Sequence, residues 1–239
     1  MESQKLTAIL STISLLTSLI YGLSFTFRTT SWTKTVLKAV PVLSLGLLSV
    51  IGDMHPALTA ALLFGALGDV ALSREGDRNF LIGLTAFLIG HLCYIALFTT
   101  SGAVGFNVSA GVWPMAPITL IILIGVWVYR RLYHQFGALK APVFIYVLAS
   151  LLLGAAALFQ PLSSPYVWAI MGALLFIFSD ILLAFDLFGD IRPPPNSPRN
   201  REPFMVLLLV GPMPYLSWVL WVALIKKAAP FLERPSLFA

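Results

Sequence analysis

Two aspartates, Asp69 and Asp180, stand inside long apolar runs where a charge is costly to place. An ionisable group at bilayer depth costs about 2.5–3.5 kcal/mol on insertion scales, so each one invites a functional explanation. Lys38 and His91 share that setting, and Tyr94 follows His91 at i+3, on the same helical face. Tyr146 and Tyr215, in later apolar runs, can face the same pocket. Burial penalises the charged form of a carboxyl, and two carboxyls held close resist ionising together. One can then stay protonated as an acid while its neighbour serves as a base. That pairing suits a cleavage begun by protonation and passing through an oxocarbenium-like cation, the logic of glycosidases.

Each of these residues also has a plainer reading. Asp69 could cap its helix or pair with Arg74 or Arg78 just beyond it. Lys38 could snorkel to the interface, and His91 could be a hydrogen-bonded core histidine. Other chemistries find little support. There is no G-x-S-x-G elbow, no H-E-x-x-H and only one cysteine, Cys93, so neither a zinc site nor an internal disulfide is indicated. Gly65-Ala66-Leu67-Gly68-Asp69 departs from the G-x-G-D of intramembrane aspartyl proteases, because Ala66 stands where the first glycine is needed. No metal and no organic cofactor is expected.

The elements that must hold these side chains follow from composition. Only 10% of the 239 residues are charged and 59% are hydrophobic. A soluble domain carries about 25% charged residues, so both a soluble fold and a disordered chain are excluded. Eight apolar stretches, near 6–27, 35–51, 56–73, 79–100, 114–133, 141–159, 165–188 and 203–225, approach the length of a membrane span. Backbone groups in lipid must pair within their own segment, which makes each stretch a helix. The expected fold class is therefore all-α, a polytopic membrane bundle of about eight transmembrane helices. Residues 1–239 form one integral membrane domain, the first stretch being kept as a helix rather than cleaved as a signal peptide.

The net charge of +5 is a topology signal rather than a nucleic-acid one. Eleven of the 15 Lys and Arg fall in or beside the odd-numbered loops, which places those loops in the cytoplasm and both termini outside. Asn107-Val108-Ser109, a glycosylation sequon, falls on the outer side of that scheme. The membrane would be the endoplasmic reticulum in a eukaryote and the cytoplasmic membrane otherwise. Lys38, Asp69 and Asp180 all lie toward the odd-loop ends of their helices, so a polar cavity opening on that side is expected. Gly68-Asp69 and Ser179-Asp180 sit four helices apart, as do Lys38 with Pro41 and Lys140 with Pro142. This suggests two parallel four-helix halves, 1–105 and 106–239.

The ordered set Lys38-x-x-Pro41, Gly68-Asp69, His91-x-x-Tyr94, Tyr146 and Gly172-Ala173-x-x-Phe176-x-x-Ser179-Asp180 resembles the lysoplasmalogenase (YhhN-type) family of multi-pass membrane proteins. The resemblance runs from the second helix to the eighth. In the eighth the chain reads Met213-Pro214-Tyr215 where the family tends to have paired tyrosines. What the resemblance implies is hydrolysis of the vinyl ether bond of lysoplasmalogens to a fatty aldehyde and a glycerophospho-base. Asp69 and Asp180 would be catalytic. Lys38, His91, Tyr94, Tyr146, Ser179 and Tyr215 would bind or position the substrate. The implied partners are a lysophospholipid and the bilayer, with no nucleic acid. Apolar helix faces leave room for a homo-oligomer. The rival is a proton- or ion-coupled transporter using the same carboxylates as relays.

Overall fold

The computed structural model describes residues 2–21, 32–74, 76–100, 112–162 and 166–189. Within them are seven α-helices and no strand. The helices are α1 (Glu2–Ile20), α2 (Trp32–Ile51), α3 (Pro56–Leu72), α4 (Asp77–Thr100), α5 (Met115–Leu132), α6 (Lys140–Leu158) and α7 (Tyr166–Phe188), with a short 3-10 turn at Gly137–Leu139 before α6. The eighth apolar stretch, Tyr215, the loop from 190 to 202 and the Asn107 sequon lie outside the described residues. The two-halves arrangement needs that eighth helix and so falls outside them too.

Among the described residues, four segments are long and apolar enough to cross a membrane: Asp77–Thr100, Met115–Leu132, Gly137–Leu158 and Tyr166–Phe185. The remaining apolar helices are shorter, at Leu6–Ser18, Thr35–Ile51 and Pro56–Leu72. The outward faces are apolar as well. Leu123 and Trp127 on α5, Leu47 and Val50 on α2, and Phe144 and Leu152 on α6 are all exposed. Water would not tolerate so much contiguous apolar surface, whereas lipid does. The chain is an integral membrane protein.

The border between the second and third apolar stretches, at Gly52 to Pro56, resolves into two local rules. The amide of Met54 bonds the Ser49 carbonyl at 2.9 Å and that of Asp53 bonds the Val50 carbonyl at 3.2 Å. With Asp53 at φ 47°, this is a Schellman ending, in which one left-handed residue reverses the chain. Pro56 then opens α3, where its missing N–H costs nothing, and His55 caps the helix by accepting from the Ala57 amide at 3.2 Å. Helices α2 and α3 are thereby antiparallel neighbours.

Polar side chains join the helices at both ends. Ser49 and Thr59 hydroxyls lie 2.8 Å apart between α2 and α3, and Ser73 donates to Thr35 at 2.8 Å at their other end. Ser14 of α1 donates to the Pro41 carbonyl at 3.0 Å, and the Gln160 amide after α6 donates to the Phe98 carbonyl at 3.1 Å. Helices α3 and α4 make the closest approach. A Cβ on Gly68 would stand 2.7 Å from the Phe87 ring, and one on Gly83 would stand 2.6 Å from Leu72. Small residues let helix backbones meet where no hydrophobic force drives them together. One boundary is corrected: α2 begins at Trp32 rather than near 35, so Lys38 lies about two turns inside it. Trp32 is held there by the Arg74 guanidinium, 3.5 Å from its ring centroid.

Candidate active site

Lys38 on α2 reaches across to Asp69 on α3, with Nζ 2.9 Å from Oδ1. Both are shielded, their side chains 16% and 4% exposed. The Schellman turn and the Gly68 contact account for this meeting. The turn lays α2 beside α3, and the glycine sets Asp69 one residue beyond a tight α3–α4 contact. Asp69 therefore pairs with neither Arg74 nor Arg78. Arg74 is occupied with Trp32, and the lysine inside the membrane is the partner.

The second carboxylate has a different companion. His91 on α4 is fully buried, with Nε2 3.0 Å from Asp180 Oδ2 on α7. Its other nitrogen, Nδ1, lies 2.8 Å from the Phe87 carbonyl, one turn earlier on the same helix. Ser150 on α6 places its hydroxyl 3.2 Å from Nε2 and donates to the Tyr146 carbonyl at 3.1 Å. Three helices thus converge on one imidazole. The ring is clamped by Phe176 and Tyr146, each with its centroid 4.9 Å away, and Phe87 packs at a tilt against Phe176, 6.2 Å between centroids.

Tyr146 lies between the two carboxylates. Its hydroxyl is buried and meets no full hydrogen-bond geometry among the described residues, yet it lies close enough to Asp180 to interact with it and, more weakly, with Asp69. Tyr94 is buried one turn along from His91, 6.1 Å from Phe176. Ser179 is half-buried beside Asp180. The structure thus brings Lys38, Asp69, His91, Tyr146 and Asp180 into one region. Sequence reasoning missed Ser150 and Phe87, and it named Phe176 only as part of a motif, not as one side of the clamp on the imidazole. The one signal for Ser150 was its i+4 spacing from Tyr146, which places both on one face.

A cavity of about 220 Å³ opens between α4, α5, α6 and α7. Its walls are almost wholly apolar and include Phe80, Ile124, Val147, Ile177 and Phe188. The only polar side chains among the lining residues are Tyr146, Ser150 and Asp180. Asp69, Lys38 and His91 are not among the lining residues. Among the described residues, no three His, Cys, Asp or Glu side chains converge as a metal ion would require. The echo between Lys38 and Lys140 does not extend to their contacts. Lys140 lies over the Tyr133 ring at 4.2 Å, while Asp180 takes His91.

A membrane helix bundle with two buried carboxylates, one facing an apolar cleft, is the class that fold and site define. The YhhN family model matches residues 33–211, which covers every helix of the site, and the chain belongs to that family. It is 28% identical over 175 residues to lysoplasmalogenase TMEM86A of Bos taurus, covering 66% of this chain and 68% of that one. It is 31% identical over 170 residues to lysoplasmalogenase TMEM86B of Homo sapiens, covering 68% and 67%. No solved structure matches it.

Proposed function

We propose that this chain hydrolyses the vinyl ether bond of lysoplasmalogens, releasing a fatty aldehyde and a glycerophospho-base, with Asp69 and Asp180 as the reacting carboxyl groups. The observation that carries the reading is the cleft. It is apolar along its length, and the polar side chains in its lining are a carboxylate, a phenol and a hydroxyl, as an alkenyl chain carrying one reactive ether would require. The names of the two relatives agree with it.

The chemistry asks for little more. A vinyl ether is protonated at the carbon remote from oxygen, which gives an oxocarbenium ion. Water adds to that ion, and the resulting hemiacetal collapses to aldehyde and alcohol. A positioned acid supplies the first proton, and a base accepts the proton of water. Nearby negative charge stabilises the cation. Tyr146, whose side chain lines the cleft beside Asp180, is positioned to bond the ether region of the substrate. The head group would then lie toward the odd-loop end, where the polar mouth was expected.

The test is aldehyde release by the purified protein in detergent from a lysoplasmalogen, with an ester-linked lysolipid as control. Asp69→Asn and Asp180→Asn should each lower release by at least about 100-fold while eluting as folded protein. Full activity in either variant, or lipid recovered intact from the wild type, would sink the reading. The second of those outcomes is what a transporter would give.

A further inference from the structure

The two carboxylates have unlike partners, and the difference assigns their work. Asp69 faces an ammonium at 2.9 Å, a contact that favours its ionised form. Asp180 faces an imidazole nitrogen, and the state of that nitrogen follows from the other side of the ring. A backbone carbonyl can only accept, so the 2.8 Å contact to Phe87 requires the proton of a neutral imidazole to sit on Nδ1. Nε2 of that tautomer is a lone pair. Set 3.0 Å from a carboxylate oxygen, it would repel unless one more proton lay between them. The Ser150 hydroxyl already gives its proton to Tyr146, so it too offers Nε2 a lone pair. The His91–Asp180 pair therefore stores a proton, whether as imidazolium and carboxylate or as imidazole and carboxylic acid. Of the two, only Asp180 lines the cleft.

Resting on the hydrolase reading above, we propose that Asp180 delivers this stored proton to the vinyl ether carbon, that His91 is the positioning residue that keeps it loaded, and that Asp69, held ionised by Lys38, takes the proton of the attacking water. The steps balance. The carbon–carbon double bond takes the proton from the pair, leaving carboxylate, neutral imidazole and the oxocarbenium ion. Water oxygen bonds to the cationic carbon as its proton passes to Asp69. The hemiacetal hydroxyl gives up its proton to the Asp180 side, the carbon–oxygen bond to glycerol breaks, and the Asp69 side returns a proton to the glycerol oxygen. The net change is one water added, with the stored proton restored and no redox partner needed.

Deuterium separates the two roles. In heavy water the wild type should release aldehyde carrying one deuterium on the carbon next to the carbonyl. Asp69→Asn keeps the acid and loses the base, so the cation forms and returns its proton. Aldehyde should fall at least about 100-fold while deuterium enters the vinyl carbon of the recovered lipid. Lys38→Met should give the same exchange with a smaller loss of aldehyde, which provides a second variant should Asp69→Asn fail to fold. Asp180→Asn and His91→Asn should show neither aldehyde nor exchange, and added imidazole should restore part of both to His91→Asn, which it would not do if the histidine were merely structural. Exchange in Asp180→Asn but not in Asp69→Asn would overturn the assignment, as would a wild type that makes aldehyde while neither Asp69→Asn nor Lys38→Met exchanges. A wild type that makes no aldehyde would overturn the hydrolase reading and this assignment with it.

Discussion

At the scale of single residues, the candidate site consists of two acid–base pairs, Lys38–Asp69 and His91–Asp180. A buried pair is tolerated because each charge answers the other, and breaking it strands a charge. Lys38→Met should therefore lower stability by about 3 kcal/mol, whereas Lys38→Met with Asp69→Leu should recover most of that loss and remain inactive. Thermal unfolding in detergent, run on both variants, checks this. Tyr146→Phe should behave in the opposite way. Its hydroxyl meets no full hydrogen-bond geometry among the described residues, so the melting temperature should move little, while aldehyde release falls about tenfold if the phenol bonds the substrate. Lys38, Asp69, His91, Tyr146 and Asp180 were legible in the sequence because charged and polar side chains in lipid are costly enough to stand out. Their pairing was not, because i+3 and i+4 spacing describes one helix and both pairs cross between helices. Ser150 stayed hidden because a helical serine ordinarily bonds its own i−4 carbonyl, as this one also does.

At the scale of elements, what positions the site is backbone proximity. Gly68 precedes Asp69 and meets the ring of Phe87, whose carbonyl holds His91. One glycine thus touches the support of both pairs. Gly68→Ala should force Phe87 aside, lower the melting temperature and reduce aldehyde release more than an alanine at the outward-facing Leu67 does. The Schellman turn yields a second expectation. Asp53→Val, at a left-handed position, should destabilise by about 1–2 kcal/mol, and Asp53→Gly should not. Apolar run length was enough to place α3 within a residue of its observed bounds. It misplaced the start of α2 by a turn because Trp32 is fixed by Arg74, some forty residues later in the chain, which no local pattern announces.

At the scale of the whole molecule, the cleft and the lipid-facing surface belong together. Lining residues on α7 run from Leu174 to Phe188, on the order of 20 Å of helix, against a hydrocarbon core of about 30 Å. Val147→Trp should shorten that channel, raising KM for long alkenyl chains while short-chain substrates are still cleaved at near wild-type rates. A series of chain lengths assayed on both proteins would decide it, and equal effects at all lengths would argue against the cleft as the chain site. A pocket walled by the same side chains that face lipid meets its substrate as a solute of the membrane rather than of water. The concentration that governs turnover is then the mole fraction of lysolipid in the bilayer or micelle. Adding inert detergent at constant total substrate should slow the reaction, and diluting the whole mixture with buffer should not.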